Sequence, residues 1–583
     1  MTMIIDPSSK TPKSTIFDDI YFSKEDGLGE SLYNFFEGNN LPQAWQDKER
    51  FTICELGLGT GLNIVLAIDL FLKSKGKCKK LNLISIEKYP LTQKQVEQAL
   101  SPWKEHFSNA LSLFFKNYPL PVPAVHAFDV MPEISVTFIY DDVISALEAM
   151  DHSVDCWFLD GFDPSKNPEM WSDAVMDHMA RLSVKGTNFA TFTAAGFVRR
   201  GLENKGFNIE KEKGFGRKRE RIKGVYVGDV CATPNILKRP KKVAVIGAGL
   251  AGASMAYHLK QYAIDVDVFE KESEVASHAS GNLLGLLNPA LTPTQQWKNK
   301  FYAGALSYAR NLFRELQAEH DIGYDPCGSI HILSDEKKRN RFEKIVLNAG
   351  WPDVLLRIIS SEEATDIAGV DVPYESVYMP CAAKISPQKL VQAMLLNIKC
   401  YMNTTIDMWE KVEGEYRLHA RNGDVFVGYD HLVLASGIDG VKVAELDIPT
   451  LKPIRGQVTY LKSPKIAQAL NVNLCFGGYL SVLDTETLVT GATYDRGSKD
   501  NQHRIEDDQS NLDFLAQHFP KLASNLEITG GRAGVRVTTE DYMPYYGFSK
   551  KDPTLYYSLA HRSHGVLSSQ VSAYNFVKQC LKH

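Results

Sequence analysis

Two segments of this 583-residue chain read strand, glycine loop, helix: "FTICELGLGTGLNIVLAIDLFL", opening at Phe51, and "KVAVIGAGLAGASMAYHL", opening at Lys242. Each needs a parallel sheet to take in its apolar strand and a helical layer to cover it, so each commits its part of the chain to α/β architecture. A chain this long exceeds one ordinary hydrophobic core. The polar stretch "CATPNILKRPKK", with two prolines and a basic cluster, marks the division. The expected organisation is a domain at 1–232, a linker at 233–242 and a domain at 243–583.

Composition narrows the class. Hydrophobic residues at 44% and charged residues at 23% are ordinary for a globular chain and exclude collagen-like and disordered types. The opening "MTMIIDPSSKTPKST" lacks a signal or transit pattern, and no run of about 18 apolar residues follows, so a cytoplasmic protein without membrane contact is expected. No obligatory protein partner is evident. Nine cysteines scattered from Cys54 to Cys580, without a CxxC pair, suggest neither a disulfide framework nor a zinc site, and no metal is expected. A net charge of −5 argues against a general polyanion binder while leaving room for a local basic face.

In the later segment Gly247, Gly249 and Gly252 stand in GxGxxG spacing between strand and helix. Gly247 allows the tight turn, Gly249 lets a pyrophosphate approach the backbone, and Gly252 lets helix pack closely on strand, with the helix N-terminus facing the anion. The next strand, "VDVFEK", brings Glu270 to where a carboxylate accepts hydrogen bonds from ribose hydroxyls. FAD and NAD share this fingerprint. Two other stretches favour FAD: "SHASGNLLGLLNPAL", with Ser280, Gly281 and Asn282, and "LAHRSHGVLSSQVSAYNFV", where Gly565 opens a helix. Both resemble the amino-acid-oxidase-like FAD enzymes, which include glycine oxidase and sarcosine oxidase. That resemblance implies FAD-binding parts at roughly 243–330 and 530–583 with a mixed-sheet substrate domain between them, and runs such as "GQVTYLK" and "GGYLSVLDTETLVTGATY" suit such a sheet.

"GGRAGVRVTTEDYMPYYG" resembles the segment in which glycine-oxidase-like enzymes hold the substrate carboxylate with an arginine, here Arg536. A guanidinium suits that task because its planar donors engage a carboxylate in pairs and stay charged at any working pH. Arg532 and Arg562 are weaker candidates, since an arginine taken alone is more often half of a surface ion pair. His561 and His564 are close in sequence, a spacing that does not by itself make a metal site. No catalytic base is evident, and the flavin carries the redox chemistry.

The earlier loop differs. Gly57, Gly59 and Gly61 follow Glu55 in the pattern E-x-G-x-G-x-G, which resembles motif I of class I S-adenosylmethionine-dependent methyltransferases. The resemblance implies that the loop and Glu55 receive the amino-acid portion of S-adenosylmethionine, that Glu87 accepts both ribose hydroxyls, and that Asp142 meets the adenine amine. "VDCWFLDGF" delivers Asp160 to the carboxyl edge of the sheet, where ligands bind in this fold class. Any one of these carboxylates, read alone, could equally be a solvated turn residue.

Taken together, "FDDIYFSKEDGLGESLYNFFEGN", "ELGLGTGLN", "IEKYPLT", "WFLDGFDPSKNPEMW", "ATFTAAGFVRRGLENKGF" and "KGFGRKRE", followed by the FAD fingerprint, resemble the family of bifunctional tRNA 5-methylaminomethyl-2-thiouridine biosynthesis proteins over nearly the whole chain. The resemblance implies a tRNA partner with a modified wobble uridine and two steps upon it. The FAD half removes the carboxymethyl group of 5-carboxymethylaminomethyl-2-thiouridine, and the other half methylates the freed amine. Such a substrate is an N-substituted glycine, which suits Arg536, and its primary amine is mostly protonated near neutrality. Asp160 is the expected proton acceptor, with Asp163 the lesser choice.

Direct signs of RNA binding are sparse. Between Arg199 and Lys223 ten Lys/Arg residues meet four Glu, and "GFGRKRERIKG" sets aromatic beside basic residues, as a phosphate-gripping face or simply a solvated surface would. A fused small-amine oxidase and methyltransferase would keep every cofactor motif without needing that stretch, and a non-catalytic nucleotide-binding scaffold would keep the glycine loops without the chemistry.

Overall fold

The computed structural model describes residues 3–5, 11–74, 76, 78–216, 218–229, 239–349, 351–437 and 448–581. They form two compact units, Met1–Ile236 and Leu237–His583. Of the linker read at 233–242, residues 233–238 lie outside the described residues.

The first unit is built on an eight-stranded sheet. Its order is Val125–Met131, Ile134–Ile139, Lys80–Ile86, Arg50–Leu56, Val154–Leu159, Ser183–Thr191, Glu220–Tyr226 and Phe207–Lys213. The strands from Ile134–Ile139 to Ser183–Thr191 run parallel, and the outer ones close the sheet antiparallel. Central parallel strands are covered on both faces and so read as continuous apolar runs. Ile53 and Phe158 enter the core on one face, while Cys54 and Trp157 enter that on the other. Neighbouring strands Arg50–Leu56 and Val154–Leu159 lead to next strands on opposite sides, which opens a crevice at their carboxyl ends.

The second unit has a six-stranded sheet ordered Lys399–Tyr401, Asp265–Phe269, Lys242–Ile246, His431–Leu434, Leu555–Leu559 and Tyr545–Phe548, parallel except for the last strand. Helix Leu250–Gln261 packs beside helix Gly565–Cys580, so sequence-distant glycine turns open on the same side. A nine-stranded mixed sheet takes its strands from stretches that alternate along the chain with those of the six-stranded one, and its strand Lys452–Lys462 pairs antiparallel with Glu527–Thr538. That pairing sets Arg536 opposite Ile454. Arg455, fully buried, reaches Asp507, and Gln457 and Thr459 reach Asp508 at 2.9 and 2.7 Å, which fastens helix Ile505–His518 to the sheet. Among the described residues no helix is long and apolar enough to cross a membrane.

Candidate active sites

The crevice of the first unit is a cavity of about 550 Å³. Gly57, Gly59, Glu87, Asp142 and Asp160 all line it. At Gly57, with φ of 101°, a side chain would run into the Asp160 carbonyl. Gly61, with φ of 75°, turns the chain into helix Leu62–Lys73 and is not part of the wall. Glu87 accepts from the amides of Gly59 (3.2 Å) and Tyr89 (2.8 Å), so the acid of the second strand already grips the glycine loop of the first. Asp142 caps helix Val143–Ala149 by accepting from the Ile144 amide and lies 3.5 Å from Lys88 Nζ.

Glu55 departs from the expectation. It lies behind the wall, 1% exposed, bonded to Ser85 (2.5 Å) and Asn63 (2.9 Å), so direct contact with the cofactor is replaced by an indirect place. The same Asn63 amide donates to Asp160 at 2.8 Å. Burial, and secondarily the Asp160 charge, pushes the Glu55 carboxyl well above the usual range. Asp160 itself is raised to about 7, first by burial and then by the Glu30 carboxylate, against the Asn63 bond and the Lys218 cation. Glu30 and Lys218 pair at 2.9 Å on the same wall. A carboxyl poised near neutrality beside an open cavity is suited to exchange a proton with a bound amine. Asp163 instead caps its own turn through the Ser165 amide and hydroxyl, which hold it below the usual carboxylate range.

The second unit holds a cleft of about 330 Å³ running from Gly247 and Gly249 past Glu270, Ser280 and Asn282 to Arg536 and Gly565. Gly247 has φ of 107°, and a side chain at Gly252 would strike its carbonyl, so both glycines are required where helix meets strand. Glu270 accepts from the Ala248 amide at 2.8 Å, repeating the tie between acid and loop seen in the other unit. Ser280 accepts from the Leu250 amide at 3.0 Å. Gly281 lies outside the cleft wall, where a side chain would meet the Arg532 guanidinium. Arg532 donates to Asn282 Oδ1 and to the carbonyls of Ser277 and His278, which makes it the clamp of that loop. The loop, the bare glycine backbone and the Glu270 carboxylate on the cleft wall fit a dinucleotide.

Arg536 sits at the far end of this cleft. Gly456 on the paired strand leaves the space its guanidinium fills. Among the described residues no carboxylate pairs with it, and burial, with the Arg562 cation adding to it, makes its charge costly in the absence of an anion. His561 bonds Ser558 and Ser568, and burial lowers it to about 4. His564 is likewise lowered to about 4 by burial and then by Arg562. Among the described residues no group of His, Cys, Asp and Glu could hold a metal ion.

Asn63, Glu30 and Lys218 carry no separate signal in the sequence because each acts through a partner distant along the chain, and Arg532, a weaker candidate for the substrate carboxylate, is engaged instead by Asn282, Ser277 and His278. The basic stretch is largely neutralised: Arg199 pairs with Glu203, Lys205 with Asp177, Lys211 with Glu220, and Arg221 and Lys223 with Glu212. Arg217 lies outside the described residues.

Comparison with known proteins places both halves. The family profile of FAD dependent oxidoreductases matches residues 242–578, and that of S-adenosyl-L-methionine-dependent methyltransferases matches residues 105–227. A protein of Marinomonas sp. (strain MWYL1), the tRNA 5-methylaminomethyl-2-thiouridine biosynthesis bifunctional protein MnmC, is 34% identical over 92% of this chain and 84% of its own. The protein of the same name from Idiomarina loihiensis is 33% identical over 96% of this chain and 93% of its own. Among solved structures, glycine oxidase from Geobacillus kaustophilus aligns with a TM-score of 0.52 at 20% identity over 59% of this chain and 95% of its own, a likeness of fold.

Proposed function

The chain belongs to the family of tRNA 5-methylaminomethyl-2-thiouridine biosynthesis bifunctional proteins, and from that premise we propose two consecutive steps on the wobble uridine of tRNA. The oxidative half converts 5-carboxymethylaminomethyl-2-thiouridine to the aminomethyl form, releasing glyoxylate. The methyltransferase half then converts the aminomethyl to the methylaminomethyl form. A tRNA substrate puts its place of work in the cytoplasm.

The observation that carries this reading is Arg536, a buried guanidinium on the wall of the flavin cleft that, among the described residues, pairs with no carboxylate. An N-substituted glycine brings a carboxylate of the right reach. FAD, bound along Gly247, Gly249, Glu270 and Gly565, supplies the two-electron acceptor for the methylene beside the amine. Arg536 fixes that methylene by holding the carboxylate two-pronged, and the imine left by oxidation takes up water from the open cleft and divides into the primary amine and glyoxylate. In the other half S-adenosylmethionine, received along Gly57, Gly59 and Glu87, supplies the methyl group. Asp160 takes a proton from the incoming ammonium and so exposes its lone pair, while Asn63 holds the carboxyl in place.

Incubating carboxymethylaminomethyl-bearing tRNA with the protein, with and without S-adenosylmethionine, and analysing the nucleosides tests this. The aminomethyl nucleoside should accumulate without the methyl donor and the methylaminomethyl nucleoside with it. Unchanged tRNA together with oxidation of free sarcosine would replace this reading with a small-amine enzyme.

A further inference from the structure

Arg536 and Arg562 both line the flavin cleft, and a third cation, Lys298, stands beside its wall at the Tyr542 ring that Arg562 also approaches. Lys298, in the first turn of helix Gln296–Glu319, is 6% exposed, and among the described residues no hydrogen bond or ion pair engages its ammonium. Its Nζ lies 5.8 Å from the centre of the Tyr542 ring, and the Arg562 guanidinium lies 4.3 Å from the same ring. His564 feels Arg562, Lys298 and Arg536 together. Asp541 is the carboxylate that acts on Lys298, and it is already occupied by the Thr539 hydroxyl (2.7 Å) and the Met543 amide (3.0 Å). Three cations thus gather against one engaged acid, a costly arrangement until an anion joins it. Tyr542, whose ring both cations approach, is itself exposed, on backbone with φ of 62°, a conformation unusual for a bulky residue and often found where a side chain is held for use.

We propose that Lys298 and Arg562 form a phosphodiester subsite of the oxidative half, with Tyr542 as a stacking face for a base, so that this half takes its uridine as part of an RNA strand. The inference rests on the tRNA reading above and adds to it the residues that distinguish a nucleotide from a free amino acid. Arg536 is occupied by the substrate carboxylate, which leaves the other two cations for the backbone phosphates that flank any nucleotide within a chain. Lysine serves such a phosphate as a point charge, and an aromatic face accepts any base. An oxidase of free glycine or sarcosine needs Arg536 alone.

The test compares oxidation of two substrates by the full-length protein: the carboxymethylaminomethyl-uridine nucleoside, which has no phosphate, and tRNA bearing it. Parent, Lys298→Gln, Lys298→Met and Lys298→Arg proteins are assayed over a range of salt, with flavin absorbance and melting temperature recorded for each. The two neutral variants should lose about tenfold or more in kcat/KM on tRNA, the weight of a charge-assisted contact. Their salt dependence should become shallower by about one unit of log–log slope. The nucleoside rate should hold, and Lys298→Arg should keep the preference for tRNA. Equal losses on both substrates, or loss of flavin, would make Lys298 part of the carboxylate or cofactor site and overturn the subsite, as would unchanged tRNA kinetics and salt slope. A parent protein that oxidises sarcosine but neither modified substrate would sink the tRNA reading itself, and the subsite with it.

Discussion

Asp160 and Arg536 carry opposite electrostatic burdens. Burial raises the Asp160 carboxyl from its ordinary 3.8 to about 7, so the folded protein binds a proton there that the unfolded chain releases between those values. Stability drawn from that proton is complete below the unfolded pKa and is lost as pH rises toward 7. Asp160→Asn should therefore melt higher than the parent at about pH 8, with the difference vanishing near pH 4. Its methylation of aminomethyl-uridine tRNA should fall ~10² to 10⁴-fold with S-adenosylmethionine still bound, and the parental rise in rate through about pH 7 should disappear. Single-turnover rates across pH, with cofactor titration, check both; a variant that methylates at the parental rate refutes the assignment. Arg536→Ala should keep its flavin yet lose glyoxylate release, since the contact removed is worth about 1.5 to 3 kcal/mol. Unaltered release would take Arg536 out of the site. The positions of both residues on their cavity walls were legible from sequence because each ends or lies on a strand in a motif with a chemical reason, while their roles rest on the tests above. The bonds of Glu55 to Ser85 and Asn63 were not legible, because a carboxylate just before a glycine loop looks the same in sequence whether it faces the cavity or those partners behind it.

At the scale of elements, the two glycine turns were the most readable part of the chain, since their φ values and close approaches leave little choice of residue. Gly252→Ala would push helix Leu250–Gln261 off the Gly247 carbonyl. We expect it to cost about 1 to 3 kcal/mol in that unit and to yield protein with little flavin, while S-adenosylmethionine binding is unchanged. A fully yellow variant with parental melting would show that the turn yields more easily than its geometry implies. Other elements were opaque in sequence for a physical reason. Arg455 stands in a mixed polar and apolar strand as a solvent-facing residue would, yet it is fully buried because its acid, Asp507, arrives on a helix from another part of the chain. The ion pairs that consume the basic stretch were hidden in the same way: Lys205 and Lys218 find Asp177 and Glu30 only after folding.

At the scale of the whole molecule, the expected division of labour predicts that residues 1–232 and 243–583, expressed apart, each fold and keep their own half-reaction. A folded 1–232 fragment unable to methylate aminomethyl-uridine tRNA would refute that autonomy. Each cavity, moreover, is walled by residues of one unit alone, one by residues between Phe17 and Lys218 and the other by residues between Ile246 and Val566. Separate cavities predict that the half-finished nucleoside can be passed from one polypeptide to another. Two crippled proteins, Arg536→Ala and Asp160→Asn, should then rescue each other when mixed, one handing on tRNA that the other has prepared, and the trace of free aminomethyl tRNA between them becomes a measure of traffic from molecule to molecule.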